Sequence, residues 1–184
     1  MRWFLYSGIY LFCLLPSVPA AAATHFDHLQ RVGKSDVHYL GVIKVYDAEL
    51  YTQTNATLED VQNARADFCL ALDYSVDLTA DKFILAAEKT LQKQRSAEQL
   101  ETMRALIDEL HSRYQDVKKG DQYTLCYNAV DQTTHLALNG KPLAVIASRE
   151  FASLYSGIWL GNKNPIDSKL QAELLNSLRE RQAR

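Results

Sequence analysis

Apolar positions along this 184-residue chain change their spacing several times. Residues 25–54 read as β structure: Val37, Tyr39, Val42, Val45, Ala48, Leu50 and Tyr51 are spread along it, and Gly33 and Gly41 punctuate it. In residues 68–74 the period is two. Phe68, Leu70, Leu72 and Tyr74 face one side of a strand, and Cys69, Ala71 and Asp73 face the other. The period then lengthens. A helix with Thr79 as N-cap would bury Phe83, Ile84, Ala87 and Leu91. A second helix opens at Ser96, with Gln99 placed for a capping box. Its stripe Leu100, Met103, Ile107, Leu110, Tyr114 and Val117 predicts five continuous turns, closed by Lys118-Lys119-Gly120.

Alternation returns at residues 123–127 and 134–138. Asn139-Gly140 follows, a pair that accepts positive φ at both central turn positions, and it predicts a hairpin into a strand over 143–146. Ser148 then caps a short helix with Phe151, Leu154, Tyr155 and Ile158 on one face and Gly161 at its end. A final helix is expected from Asn164-Pro165, with Ile166, Leu170, Leu174 and Leu178 on its stripe. Strands, helices, strands, helices in that order predict an α+β fold with an antiparallel sheet. Trp159, beside Ile158, is expected to wedge its helix against the final one through Leu170 and Leu174; the alternative makes it a wall of a ligand cleft.

The N-terminus changes this picture. One basic residue, Arg2, precedes the apolar run from Ile9 to Leu15; Pro16, Pro19 and four alanines, Ala20 to Ala23, follow. That is the pattern of a cleaved secretory signal peptide over residues 1–23, with an apolar run too short to span a bilayer. A single domain over 24–184 and a periplasmic location are expected, with no membrane span left after cleavage. Without Arg2 the balance is 19 basic to 22 acidic residues. No basic stripe points to nucleic acid. No phosphate-binding loop, nucleophile elbow or zinc-type spacing is present, so neither cofactor nor metal is expected. His25 and His28 read as part of a polar strand or tail. Asp47 and Glu49 share a strand face and read as solvated. Cys69 and Cys126 lie on the less apolar faces of their strands. In an exported chain they form either a cross-strand disulfide, which is the expectation, or two thiols on strands that are not neighbours.

Three segments resemble the bacterial, exported branch of the chalcone isomerase-like family. They are Lys44-Val45-Tyr46-Asp47-Ala48-Glu49-Leu50-Tyr51, then Gly120 to Tyr127 with Leu138 to Leu143, and Glu150-Phe151 running into Gly157-Ile158-Trp159-Leu160-Gly161. The resemblance covers nearly all of the chain after residue 23. It implies an open-faced β-sandwich, an antiparallel sheet with a helical layer on one face and a ligand cleft between them. Catalytic members of the family use an arginine in a glycine-rich strand segment, a threonine on the next strand, and a tyrosine and an asparagine on one helix face. Here the glycine-rich segment, His38 to Ile43, holds no arginine. The threonine position falls at Tyr46, the tyrosine on Phe83 and the asparagine near Thr90. The groups that would stabilise a developing oxyanion are therefore not matched. Fatty-acid-binding members hold the carboxylate with an arginine and a tyrosine, and that arginine is missing as well.

These residues leave three readings. The leading one is a non-enzymatic binder of a small apolar, amphipathic or fatty-acid-like ligand, with a candidate cleft at Tyr39, Tyr46, Phe83 and Thr90. The second is an isomerase or intramolecular lyase acting on an enone through Tyr46 and Thr90. The third is a structural or interaction protein with a filled cleft.

Overall fold

The computed structural model describes Phe26 and residues 28–183, so the expected signal segment lies outside the described residues. Six strands form one antiparallel sheet in simple chain order: β1 (Gln30–Tyr39), β2 (Ile43–Thr52), β3 (Phe68–Tyr74), β4 (Gln122–Asn128), β5 (Thr133–Leu138) and β6 (Lys141–Ala147). Among the described residues seven helices complete it: α1 (Leu58–Gln62), α2 (Ala80–Gln94), α3 (Ala97–Thr102), α4 (Arg104–His111), α5 (Arg149–Leu160), α6 (Ser168–Leu174) and α7 (Asn176–Gln182). The fold is α+β, an open antiparallel sheet covered by helices on one face. Among the described residues no helix is long and apolar enough to cross a membrane.

Strand register explains the two faces. On the inner face Leu50, Leu70, Leu125 and Leu136 stand in line across β2 to β5, and Thr52, Phe68, Tyr127, Thr134 and Ile146 form the next row. Both rows are buried. The outer face carries a row running edge to edge: Arg31, Tyr51, Cys69, Cys126, His135 and Val145. Cys69 and Cys126 are register partners on adjacent strands, and they are joined by a disulfide. Glu49, also on the outer face, accepts a hydrogen bond from the Tyr51 hydroxyl and pairs with Arg31 at 2.9 Å and Lys34 at 3.1 Å. The Tyr51 hydrogen bond, first of all, holds its carboxyl below the usual range. The sequence places Glu49 on a solvated face; its side chain is in fact 14% exposed and held in ion pairs.

Within the region read as β, β1 and β2 form a hairpin over residues 30–52. Its turn places Leu40 at φ 51° and Gly41 at φ 74°. Asn139 and Gly140 adopt the same pair of angles between β5 and β6, as their residue types require. Helix α1 was not foreseen, although Thr57 and Asp60 form a reciprocal capping box at its start.

Two helical expectations need correction. The stripe from Leu100 to Val117 is not one helix. Its Ser96–Gln99 capping box is present, but the chain leaves helical geometry at Met103 and the second piece stops at His111. Beyond it, Val117 exchanges two backbone hydrogen bonds with Leu78, at 2.9 and 3.0 Å, which an α-helix could not offer. The apolar positions still mark what is inward: Ile107, Leu110 and Val117 are buried. The last helix starts at Asp167, whose carboxylate accepts the Leu170 amide, and not at Pro165; it breaks again at Leu175.

Helix α5 is the centre of the helical layer. It touches α1, α2, α4, α6 and β5, and every residue from Leu154 to Leu160 is buried. A helix apolar on all sides is an interior helix. Its N-terminus is capped by Ser148, which accepts from the Phe151 amide at 3.1 Å. Helix α6 lies across β1 and β2 at the sheet's edge.

Candidate functional site

Between the inner sheet face and α2 lies a cavity of about 880 Å³. That volume falls within the roughly 300–1,000 Å³ usual for small-molecule sites. The strands contribute Val37, Val45, Tyr46, Leu72, Tyr74, Tyr123, Leu125 and Leu136 to its wall, α2 contributes Phe83, Ala86 and Ala87, and α5 contributes Ile158 and Trp159. Most of these strand residues stand at alternate positions, which face the helices; Val45 beside Tyr46 is an exception.

Among the described residues no arginine, histidine or carboxylate lines this space; Lys82 and Lys89 do, and both residues are exposed. Such lysines lay their aliphatic stems along an apolar rim and keep the ammonium in water. The rim is otherwise apolar: Tyr39, Ile43 and Leu85 are each more than half exposed, at 61, 51 and 54%.

Of the four residues singled out by resemblance, three stand on this cavity. Tyr39 is at its mouth, Tyr46 is buried in its wall, and Phe83 packs its ring edge-on against Tyr74 at 5.3 Å and Tyr123 at 5.7 Å. Thr90 is not part of the lining. It is buried one helical turn beyond Ala86, and its hydroxyl donates to the Ala86 carbonyl at 2.8 Å, the usual fate of a mid-helix threonine. Trp159 is part of the cavity wall, the alternative weighed for it, while its helix also packs against α6 as the wedge required. Its indole N–H donates to the Tyr46 hydroxyl at 3.3 Å and its ring leans on Tyr155.

Tyr74, Tyr114 and Tyr123 escaped the sequence reading as site residues. Tyr74 and Tyr123 did stand out as phenols on the inward sides of alternating strands, but only register brings them together. Tyr123 is fully engaged: its hydroxyl accepts the Gln115 amide at 2.8 Å and donates to the Gln115 carbonyl at 3.0 Å. Tyr114 is committed to a buried chain. Its hydroxyl meets that of Tyr155 at 3.0 Å, Tyr155 meets His111 Nε2 at 3.1 Å, and His111 Nδ1 faces Glu88 at 3.4 Å. Arg104 holds Glu88 from the other side at 2.7 Å.

Burial, the larger effect, lowers the His111 pKa below the ordinary 6.5, against the opposing pull of Glu88. The unfolded chain therefore takes up a proton that the folded chain resists. This contribution to stability is fully present above about pH 6.5 and is lost as pH falls from there toward the folded-state pKa. Denaturation midpoints measured from about pH 7.5 down to pH 5 should fall. His111→Gln should flatten that slope, and a variant titrating in parallel with the parent would contradict it.

The fold and the site define a sheet-and-helix protein with an apolar cavity under its helical layer. The chain belongs to the chalcone isomerase-like family, whose model matches residues 23–176. Among solved structures it is similar to a fatty-acid binding protein of Arabidopsis thaliana, with a TM-score of 0.62 and 15% sequence identity over 83% of this chain and 89% of that chain. At that identity the likeness speaks for the fold. No curated protein is detectably similar in sequence.

Proposed function

We propose that this is an exported, non-enzymatic protein that holds a small apolar or amphipathic molecule in the cavity between sheet and α2. Export rests on the signal-peptide pattern of residues 1–23; the remaining chain, 24–184, would work in the periplasm as one domain. The observation that carries the binding reading is an apolar cavity of about 880 Å³ with no buried charge in its wall. Burying an ionic nucleophile or stabilising an oxyanion there would lack a partner. Phe83 offers no hydroxyl, and residues 38–43 offer no arginine. The fatty-acid binding protein with the same fold adds support for a chain-like ligand.

Native mass spectrometry of protein recovered from the periplasm tests both halves. The expected species begins between Ala21 and Thr24 and carries a co-purified molecule of a few hundred daltons, a drug-sized guest for such a cavity. A ligand-free protein that also refuses an apolar fluorophore would overturn the binding half. A full-length chain in the cytosol would overturn export.

A further inference from the structure

Tyr46 and Tyr74 are register partners on β2 and β3, point to the same inner face, and place their ring centres 5.6 Å apart. Both are buried, at 7 and 5% exposure, and both line the cavity. Tyr46 receives the Trp159 N–H, which leaves its own O–H hydrogen without an acceptor among the described residues. The Tyr74 hydroxyl has no hydrogen-bond partner among the described residues, although the Tyr74 backbone bonds Asp121 and Gly120. Yet its hydroxyl is not sealed in, unlike that of Tyr127, so it opens onto the cavity. Buried polar groups normally find a partner, and an unpaired donor in an apolar wall is costly. Desolvation keeps both phenols protonated, with the Tyr46 pKa pushed up to about 12 and that of Tyr74 well above its ordinary value. Both are thus donors at every physiological pH.

Resting on the binding reading above, we infer that Tyr46 and Tyr74 form a paired-donor site for the uncharged oxygen of a carbonyl or ester carried by an apolar chain, and that a free carboxylate is disfavoured there. Two neutral donors satisfy the two lone pairs of a carbonyl oxygen. A carboxylate would enter without a counter-charge, because the lysines of the lining stand exposed at the rim. Its desolvation would exceed what two phenols return. The ligand therefore enters with its neutral oxygen deep, beside Trp159.

The test is displacement of a neutral fluorophore, N-phenyl-1-naphthylamine, by dodecane, methyl dodecanoate and dodecanoate at about pH 8, where a free fatty acid is ionised. The ester should bind most tightly. Tyr74→Phe should weaken it roughly three- to tenfold, the worth of one neutral hydrogen bond, while dodecane binding stays unchanged and reports an intact cavity. Lys82→Gln with Lys89→Gln should leave the ester unaffected. Dodecanoate binding more tightly than the ester, and losing that advantage in the lysine variant, would overturn the inference and leave the binding reading standing. So would an ester indifferent to Tyr74→Phe. Exclusion of the fluorophore and of all three chains would overturn both.

Discussion

Gly33→Ala is expected to destabilise the protein by about 3 kcal/mol or more, the upper end of overpacking costs. A Cβ on Gly33 would lie 2.0 Å from the Leu174 carbonyl oxygen and 2.5 and 2.6 Å from the carbonyl carbon and Cα of the same residue. All three are backbone atoms, so no side-chain rotation relieves the clash. The end of α6 must move off the sheet. With it go Leu170, Leu174, Leu175 and Leu178, all essentially unexposed, and two ties to β1. These are the Ser35 hydroxyl donating to Glu173 at 2.6 Å and the Ser177 hydroxyl donating to the Val32 carbonyl. A loss of that size corresponds to roughly 6–12 °C in melting temperature for a domain of this length. Gly41→Ala is the matched control. Its position has φ +74° and open space around it, so only the left-handed backbone penalty of about 1–2 kcal/mol applies. Equal melting temperatures for Gly33→Ala and the parent would mean that α6 does not rest on β1.

Reduction of the Cys69–Cys126 disulfide is expected to cost roughly 4 kcal/mol in the chain-entropy account, because the bridge closes a segment of 57 residues in the unfolded chain. That segment contains α2, the helix over the cavity, together with α3 and α4. The folded state should keep its sheet, since β3 and β4 are held by further register pairs from Phe68–Tyr127 to Asp73–Gln122. Denaturant midpoints with and without reductant measure the loss. Alkylation of the oxidised protein under denaturing conditions should modify neither Cys69 nor Cys126. Two alkylated thiols, or a midpoint indifferent to reductant, would show that the bridge does not form in solution.

Local chemistry was readable wherever a residue type admits few conformations. Asn139-Gly140 can hardly do anything but turn, whereas Leu40-Gly41 makes the same turn with a leucine in a region that leucine rarely occupies. The first turn was therefore legible and the second was not. The capping box at Ser96 was legible for the same reason; the one at Thr57, with aspartate in the acceptor role, passed unnoticed. Helix length was less readable. A three-four apolar rhythm persists through Tyr114 and Val117 because both remain inward. Rhythm reports which side chains are buried, not whether the backbone between them stays helical.

Of the candidate site, Tyr39, Tyr46 and Phe83 came from family resemblance, and tertiary structure set them on one cavity. Thr90 sits on the same helix as Phe83 but turns its hydroxyl into its own backbone. Seven residues separate the two, close to two helical turns, so small differences in helix rotation decide whether such a residue reaches the cavity.

The sequence by itself determined the alternation of strands and helices, which strand faces are apolar, and the residue types available to a site: many phenols, and no arginine in residues 38–43. These follow from nearest neighbours in the chain, since period and turn chemistry are local. Only the tertiary structure decided that Cys69 meets Cys126, that Tyr46 meets Tyr74, that Trp159 walls a cavity, and that Gly33 lies under Leu174. The residues brought together lie far apart in the chain, 57 positions for the two cysteines and 113 for Trp159 and Tyr46. Strand register and helix docking set such contacts through the packing of the whole core, and no local pattern encodes them.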